Sequence, residues 1–168
     1  PQIATVRYGI MKAAALQVKM TELTFCKVPQ AHDLSRVVEV IYGEEERAEE
    51  DTPVIFAVGG GLRTREDLAL VEQLGKLCGS MVLASRSLVE RGWMPQNRQI
   101  GLSGRAVSPQ LLITIGISGS VQFLAGVQGA ERICAVNSDP TARILQVADL
   151  PLLVDLYEVL PALVRRFS

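Results

Sequence analysis

From residue 54 onward, short apolar runs alternate with segments whose apolar residues recur at helical spacing. The run Val54–Val58 is apolar throughout, as expected for a strand that is buried on both faces of a parallel sheet. After the glycine turn that follows it, the apolar stripe from Leu68 to Cys78 predicts a helix. Thr64 is expected to cap it, in a capping box with Asp67 in the reciprocal position. The same pattern predicts further strands at residues 81–84, 111–115, 133–136 and 144–148, and a short helix at residues 85–92.

Residues 111–137 contain the clearest β-α-β unit. The apolar run at 111–115 breaks into a small-residue turn, 116–120, which leads into a short helical stretch and a second apolar run. Glycines in such a turn let backbone or a ligand approach without a Cβ in the way, and the following helix offers N–H groups to a phosphate. Because plain packing in an α/β fold uses the same kind of turn, the pattern alone leaves both interpretations open.

The last element that the pattern predicts is a helix that closes the chain. Asp149 is expected to cap it and Pro151 to lie near its first turn. Its apolar stripe is expected to contain Leu152, Leu156, Leu160 and Val164. Strand and helix thus alternate after residue 53 without an internal repeat. This alternation predicts an α/β fold with an open, doubly wound parallel sheet, that is, a Rossmann-like nucleotide-binding domain.

Residues 1–50 have a different pattern of apolar and charged positions. Strand-like runs occur at residues 3–6, 23–28 and 37–41, with charges between them. The acidic run that follows at residues 43–51 is interpreted as a linker, because it interrupts any core pattern and Pro53 discourages helix immediately before it. Residues 51–168 are therefore expected to be one domain, preceded by a short β-rich segment. The chain begins at Pro1, which suggests a piece of a longer polypeptide.

Composition narrows the class of function. The chain has 168 residues, of which 48% are hydrophobic, and a net charge of −1, which argues against binding that is driven by a nucleic-acid backbone. No apolar run approaches the roughly 20 residues of a membrane span, so neither nucleic acid nor membrane insertion is expected. Cys26, Cys78 and Cys134 are isolated in apolar surroundings, which indicates buried thiols rather than disulfides or a zinc site. We expect a soluble, intracellular protein.

The carboxyl ends of the predicted strands carry small and polar residues. In an open parallel sheet, ligands bind in the crevice beyond those ends. Glycines, hydroxyls, one cation, one amide and one carboxylate follow the strands, at residues 59–61, Ser85, Arg86, residues 118–119, Asn137, Ser138 and Asp149. The only histidine, His32, lies outside the regular part of the chain, and neither a Gly-x-Ser-x-Gly elbow nor a Gly-Lys-Ser phosphate loop occurs. This rim suits a large phosphorylated ligand, and nucleophilic or metal catalysis is not expected.

Several side chains near this rim have two interpretations each. Arg86 could hold an anion or form a surface ion pair, and Ser103 could donate to a ligand or serve a turn. Asn137 could bind a polar ligand edge or cap the turn that follows it. Asp155 could contact a ligand or be a solvated residue inside the closing helix. Residue chemistry alone therefore predicts a nucleotide-type crevice without identifying the nucleotide.

The same residues carry the motifs of a known family. In order, they are Ala84-Ser85-Arg86, Gly92-Trp93-Met94-Pro95, Gln99-Ile100-Gly101, Ser103-Gly104-Arg105, Gly116-Ile117-Ser118-Gly119 with Gln122, Leu124-Ala125-Gly126, Ala135-Val136-Asn137, Gln146-Val147-Ala148-Asp149 and Asp155-Leu156. Over residues 54–163 the chain thereby resembles the FAD-binding C-terminal domain of the electron transfer flavoprotein alpha subunit. Residues 4–11 resemble the segment that closes the N-terminal domain of that family, so residues 1–50 are expected to be the end of that domain and its linker.

The resemblance implies that FAD is bound here, with its isoalloxazine ring facing a beta subunit. It also implies an electron carrier that accepts electrons from dehydrogenases, such as acyl-CoA dehydrogenases, and passes them to a quinone reductase or a similar acceptor. The expected compartment is the bacterial cytoplasm or the mitochondrial matrix, with the cytoplasm preferred. Matched residue by residue, the cofactor contacts are Ser85, Arg86, Ile100, Gly101, Leu102, Ser103, Ser118, Gly119, Ser120, Val121, Gln122, Phe123, Asn137, Asp155 and Leu156.

The resemblance also implies a role for most of these positions. Arg86 matches an arginine over the flavin ring, where a cation favours the anionic reduced or semiquinone forms. Ser103 matches a hydroxyl residue beside the reactive nitrogen of the flavin. Residues 118–122 match the turn at the pyrophosphate, and Asn137 and the pair Asp155-Leu156 match the ribose and adenine end.

Two positions depart from the family pattern. Phe123 stands where the family usually has a histidine that donates to the flavin, and Gly60 stands where it usually has an arginine. Because both changes remove donor or positive groups beside FAD, we expect weaker cofactor binding or a less stabilised semiquinone, with Arg63 as the candidate replacement cation. Two alternatives stay open: a Rossmann-like module that binds NAD or AMP, although no Gly-x-Gly-x-x-Gly motif occurs, and a non-redox subunit-interaction module.

Overall fold

The structure, a computed structural model, describes residue 38 and residues 52–168. Its sheet has five parallel strands: β1 (Val54–Val58), β2 (Met81–Ala84), β3 (Leu111–Ile115), β4 (Arg132–Asn137) and β5 (Leu150–Leu153). Their order across the sheet is β2-β1-β3-β4-β5, and every neighbouring pair is parallel. The predicted α/β class and the parallel sheet are therefore confirmed.

The helices cover both faces of the sheet. They are α1 (Leu68–Leu77), α2 (Arg86–Glu90), α3 (Val121–Ala125), α4 (Arg143–Val147) and α5 (Leu156–Phe167), with one turn of 3-10 helix at Gln96–Arg98. Phe56 and Val58 of β1 pack in one core cluster with residues of α1, α2 and α5. Ile55 and Ala57, which point to the opposite face of the same strand, pack in a second cluster with residues of α3 and α4. The sheet is doubly wound, as predicted.

The start of α1 differs from the prediction. The helix begins at Leu68 with Asp67, not Thr64, at its N-cap position. The backbone N–H of Thr64 donates to Oδ2 of Asp67 over 2.8 Å, so the reciprocal half of the predicted capping box is present.

The last strand was predicted in the wrong place. Residues 143–147 form α4, and the strand is β5, which contains Pro151. A five-residue apolar run does not distinguish strand from helix by its period, and an edge strand tolerates a proline. Asp149 does not cap a helix, since its carboxylate accepts a hydrogen bond from the Ile133 N–H over 2.8 Å and pairs with Arg132.

The closing helix consequently starts later than predicted. Asp155 is the N-cap of α5, and its Oδ1 accepts a hydrogen bond from the Tyr157 N–H over 2.9 Å. Leu156, Leu160 and Val164 of the predicted apolar stripe lie in α5, where Leu156 and Leu160 are buried, but Leu152 belongs to β5. Asp155 is therefore a capping residue and not a residue of the helix interior.

Several predictions concern residues outside the described part of the chain. They are the strand-like runs at residues 3–6, 23–28 and 37–41, the acidic linker at residues 43–51, Cys26 and His32. In the described part, Cys78 and Cys134 are unbridged and half-buried rather than fully buried, and burial raises the pKa of both thiols. Among residues 52–168, no helix has the length and apolar character needed to cross a membrane.

Candidate functional site

The strand order reverses direction between β1 and β3, and the glycine turns that follow these two strands meet there. The Gly59 N–H donates to the carbonyl of Ile115 over 2.9 Å, and the Gly61 N–H donates to the carbonyl of Gly116 over 3.0 Å. A Cβ added to Gly61 would lie 2.7 Å from the Cα of Gly116. These glycines are therefore needed for close packing of one turn against the other at the base of the crevice.

The turn at residues 118–122 lies open at the start of α3. Gly119 has a φ of +81°, and its Cα lies against the backbone of Ile144. The Ile144 N–H donates to the carbonyl of Ser118 over 3.1 Å. Ser120 is the N-cap of α3, because its Oγ accepts a hydrogen bond from the Phe123 N–H over 3.3 Å. The other members of the turn, Ser118, Val121 and Gln122, are exposed. The turn thus has a fixed backbone and an accessible outer side.

The loop at residues 100–103 connects this turn to the end of β2. The Ile100 N–H donates to the carbonyl of Ala84 over 2.8 Å, and the Leu102 N–H donates to the carbonyl of Gln122 over 2.9 Å. Gly101 between them has a φ of +135°. The two hydrogen bonds place the loop across one end of the crevice, next to both Ser85 and the start of α3.

Ser85 and Arg86 form the start of α2 at the carboxyl end of β2. Ser85 Oγ lies 2.9 Å from Ser87 Oγ. The Arg86 Nε donates to Oε1 of Glu90 over 2.7 Å, while 69% of the Arg86 side chain and 60% of its partner remain exposed. The surface ion pair, which was one of the two interpretations of Arg86, is present in this structure.

Asn137 joins the turns at the other end of the crevice. Its Nδ2 donates to the carbonyl of Ile117 over 2.7 Å, and its Oδ1 accepts from the Asp139 N–H over 2.9 Å. The second bond confirms the capping interpretation of Asn137. The Val154 N–H also donates to the Asn137 carbonyl over 3.1 Å, which brings Asp155 and Leu156 beside this turn.

Asp155 belongs to a cluster that joins α5 to α1. Its Oδ2 is 3.4 Å from Nη2 of Arg63, and the Arg63 guanidinium lies over the Tyr157 ring, 4.4 Å from the ring centre. The Tyr157 hydroxyl donates to Oδ2 of Asp67 over 2.6 Å and accepts from the Arg63 N–H over 2.8 Å. The Tyr157 hydrogen bond is the main cause that lowers the pKa of Asp67, whereas burial, and then the Asp67 bond, raise the pKa of Tyr157.

The two departures from the family pattern lie in different surroundings. Phe123 is only 4% exposed and packs in the core cluster of the α3 and α4 face, so its side chain does not face the open crevice. Gly60 is exposed, and a Cβ added there would lie 3.9 Å from Nη2 of Arg91, which stacks on Trp93. Arg63, the candidate replacement cation, lies instead beside Asp155. The cation nearest to the Gly60 position is therefore Arg91, which the sequence did not indicate.

The predicted site residues thus form two groups along one edge of the sheet. The group near β2 and β3 contains Ser85, Arg86, residues 100–103 and residues 118–122, and the group near β4 and α5 contains Asn137, Asp155 and Leu156. Ile100, Phe123 and Leu156 are buried, so they support the edge from below.

A separate cavity of about 710 Å³ opens at the opposite edge of the sheet. Glu72 and Lys76 of α1, Met81 at the start of β2, Met94 and Arg98 are among its lining residues. Because ligands of open parallel sheets bind at the carboxyl ends of the strands, we assign the site to the other edge. Within residues 52–168, no group of three or more His, Cys, Asp or Glu side chains could hold a metal ion.

Sequence reasoning missed the residues that support the site from behind. Gln99 is buried and its Nε2 donates to Oγ of Ser103 over 2.9 Å, while Tyr157 joins Asp67 across 90 residues. Gln99 stands in the family motif Gln99-Ile100-Gly101, but the sequence did not indicate that its partner is Ser103. Tyr157 carried no signal, because its partners come from a distant part of the chain.

Comparison of the sequence with known proteins points to one family. Residues 50–128 match the profile of the electron transfer flavoprotein FAD-binding domain. The chain is 40% identical over 169 residues to subunit LctC of the lactate dehydrogenase (NAD(+),ferredoxin) of Acetobacterium woodii, which covers 97% of this chain and 40% of that protein. It is 37% identical over 174 residues to protein FixB of Azotobacter vinelandii, which covers 100% of this chain and 48% of that protein.

A third relative carries the name of the family itself. The chain is 34% identical over 170 residues to the electron transfer flavoprotein subunit alpha of Clostridium acetobutylicum, which covers 98% of this chain and 51% of that protein. The chain therefore spans about half of the length of these relatives, or less. The matched domain is an FAD-binding domain, in agreement with the cofactor that the sequence predicts.

Proposed function

The chain belongs to the electron transfer flavoprotein alpha-subunit family, and on that basis we propose that it holds FAD along the carboxyl edge of its sheet and carries electrons in a complex with a beta subunit. When bound, FAD supplies a ring that accepts and releases electrons. The chain supplies binding, orientation and charge around it.

The observation that supports the proposal is the spread of the predicted contacts along the edge. Arg86 and Ser103 lie at the β2 end, the turn at residues 118–122 follows β3, and Asn137 ends β4. Asp155 follows β5 and reaches back to Arg63 in the loop after β1. Strands in a sheet are spaced by about 4.8 Å, so the edge from β2 to β5 is roughly 19 Å long. Such an edge suits a ligand with two nucleotide halves.

The residues of each group fit the part of FAD that they would hold. Arg86 presents a cation on a short helix, and Ser103 presents a hydroxyl from the loop across the crevice. Gly119 lets the turn at residues 118–122 take a positive φ and pack on the backbone of Ile144, and the exposed Ser118 and Ser120 of this turn offer polar groups to a pyrophosphate. Asn137 retains a second Nδ2 proton, and Asp155 offers carboxylate oxygens for hydroxyl groups of a ribose.

The proposed activity is that of a carrier and not of a catalyst of bond chemistry. The relative in Acetobacterium woodii is a subunit of a lactate dehydrogenase, so we propose that this chain also works inside a larger electron-transferring assembly. Its donors would be dehydrogenases and its acceptor a quinone reductase or a similar protein, in the cytoplasm. We further propose that residues 51–168 are the FAD-binding domain and that residues 1–50 end an N-terminal domain.

The test is the visible absorbance of the purified chain after mixing with FAD and gel filtration, alone and in complex with a beta subunit of the same family. We expect flavin absorbance that co-elutes with the protein in at least one of the two samples. Parallel titrations with NAD and AMP separate the alternatives. Binding of NAD or AMP without FAD would indicate another nucleotide-binding module, and stable beta-subunit binding without any nucleotide would indicate an interaction module.

A further inference from the structure

Gln99 is a buried polar side chain with a specific partner. It is 3% exposed and, with Thr114, is one of two buried polar residues among residues 52–168. A buried amide is costly unless its groups form hydrogen bonds. Its Nε2 donates to Oγ of Ser103 over 2.9 Å, so the amide is directed at a side chain of the candidate site.

The backbone holds the two residues against each other. The Arg105 N–H donates to the Gln99 carbonyl over 2.7 Å, and the Gly104 N–H donates to the Gly101 carbonyl over 3.0 Å. A Cβ at Gly104 would collide with the Gln99 carbonyl oxygen, so this tight loop requires glycine there. Ser103 therefore has a fixed Cα position on the exposed side of the loop, with Gln99 beneath it.

The direction of the hydrogen bond determines what Ser103 can do. A serine hydroxyl has one proton and two acceptor lone pairs. Because the amide N–H of Gln99 occupies a lone pair, the hydroxyl proton is left to donate elsewhere. Serine also lacks the β-branch that restricts χ1 in threonine, so the Gln99 bond supplies an orientation that the residue itself does not impose.

We propose that Gln99 is a positioning residue that directs the Ser103 hydroxyl proton into the crevice, where it donates to an acceptor atom of the isoalloxazine ring. The inference rests on the proposed function, since it needs FAD at this edge. Gln99 itself does not contact the cofactor in this proposal. It acts entirely through Ser103.

A double-mutant cycle on the complex with the beta subunit tests this role. Gln99→Glu keeps the shape of the side chain but offers only acceptors, so it draws the Ser103 proton away from the crevice. Gln99→Met keeps the approximate volume and offers no hydrogen bond. Each is combined with Ser103→Ala, and the dissociation constant of FAD and the midpoint potential of the bound flavin are measured for all variants.

In the parent sequence, Gln99→Glu and Gln99→Met should each raise the dissociation constant of FAD by roughly fivefold to tenfold, as expected for one lost hydrogen bond, and shift the midpoint potential. In the Ser103→Ala background the same substitutions should have no further effect on either quantity. Ser103→Thr should partly restore FAD affinity to Gln99→Met, because its β-branch restricts χ1.

Equal effects of the Gln99 substitutions in the parent and in the Ser103→Ala background would overturn the inference, because Gln99 would then act through loop structure alone. Far-UV circular dichroism and urea unfolding identify a variant that loses the fold. If one of the two Gln99 substitutions does so, the double-mutant cycle is completed with the other. If the parent complex binds no FAD, the proposed function fails and this inference fails with it. FAD binding with additive effects overturns the inference alone.

Discussion

The Tyr157 hydroxyl donates a 2.6 Å hydrogen bond to Oδ2 of Asp67, although 90 residues separate the two along the chain. Asp67 is the N-cap of α1, and Tyr157 lies in the first turn of α5. The bond therefore ties together the starts of the two long helices on one face of the sheet. Arg63, which donates its N–H to the same hydroxyl and stacks on the same ring, fixes the loop that follows the glycine turn of β1.

Replacing Tyr157 with Phe should lower the free energy of unfolding by about 1–2 kcal/mol, because the hydroxyl bonds to Asp67 and to the Arg63 N–H are lost while the ring remains. The measurement is urea unfolding, in which the midpoint should fall and the slope should stay constant. Glu158→Gln, at an exposed position of the same turn, is the matched control and should change stability by no more than about 0.5 kcal/mol. A midpoint that is the same in Tyr157→Phe and the parent would contradict the role of this bond.

The same bond predicts how the titration of Asp67 changes. The pKa of Asp67 is lowered mainly by the Tyr157 hydroxyl and then by the Thr64 N–H, so its contribution to stability is present above the unfolded-state pKa and is lost as the pH falls through the folded-state pKa. In Tyr157→Phe, the folded pKa of Asp67 should rise towards its ordinary value. Carboxyl chemical shifts followed over an acid titration measure it, and an unchanged Asp67 pKa would exclude Tyr157 as the main cause.

On the alkaline side the sign is opposite. Burial and the Asp67 carboxylate raise the pKa of Tyr157, so its contribution is complete below the unfolded-state pKa and is lost as the pH rises through the higher folded-state pKa. Tyr157→Phe should therefore flatten the loss of stability at alkaline pH as well as at acid pH. Unfolding free energies measured over both pH ranges, with Glu158→Gln as the control, test both slopes together.

The sequence predicted the first four strands correctly because each is a short apolar run between clear turns, whereas β5 was misplaced. The run at residues 144–148 is apolar enough for a strand but forms α4, and Pro151 belongs to the edge strand rather than to a helix. Local pattern does not decide between these assignments, because sheet pairing of β5 with β4 fixes them. The same error placed the predicted start of the closing helix at Asp149, whereas α5 is capped by Asp155.

The sequence predicts that most of the candidate site residues share one edge, since parallel strands place their carboxyl ends there. Asp149, predicted on the same rim, lies instead at the opposite edge, before β5. The partners of the polar side chains were not predictable. Asn137 bonds a carbonyl 20 residues away, and Tyr157 bonds a carboxylate 90 residues away. Such contacts depend on how distant elements pack against each other. The sequence alone therefore does not identify the hydrogen-bond partner of these side chains, whereas the structure does.

Gly116 should tolerate no side chain. Its φ is +62°, and an added Cβ would lie 2.9 Å from the Cα of Gly61 and 3.1 Å from Cδ2 of Leu156. Gly79 is a matched control, because its φ of +59° is nearly the same and no atom lies within 4 Å of its added Cβ. Gly79→Ala should cost about 1–2 kcal/mol for the left-handed backbone alone, and Gly116→Ala should cost clearly more in the same urea experiment. Equal losses of unfolding free energy in Gly116→Ala and Gly79→Ala would show that the turns after β1 and β3 can move apart at little cost.

Phe123 should matter first for stability. Its ring is buried at 4% exposure, so Phe123→Ala should cost about 3–5 kcal/mol, whereas Val121→Ala at 62% exposure in the same helix should stay within about 0.5 kcal/mol. Phe123→His, which restores the usual family residue, should also destabilise the fold because it buries a polar ring without a partner. Thermal unfolding of the three variants tests this order, and a stable Phe123→His protein with tighter FAD binding would show that the side chain turns towards the crevice.

Arg86 and Glu90 form an exposed pair whose two members should have unequal effects on FAD binding. Because both side chains are more than half exposed, removing either one should change stability by less than about 1 kcal/mol. Arg86→Gln removes the cation from the crevice and should weaken FAD binding, most strongly at low salt. Glu90→Gln breaks the same 2.7 Å pair but leaves the guanidinium available, so FAD affinity should be unchanged or higher. Titration of both variants with FAD at two salt concentrations measures this asymmetry, and equal losses in both would mean that the pair acts only as a support for α2.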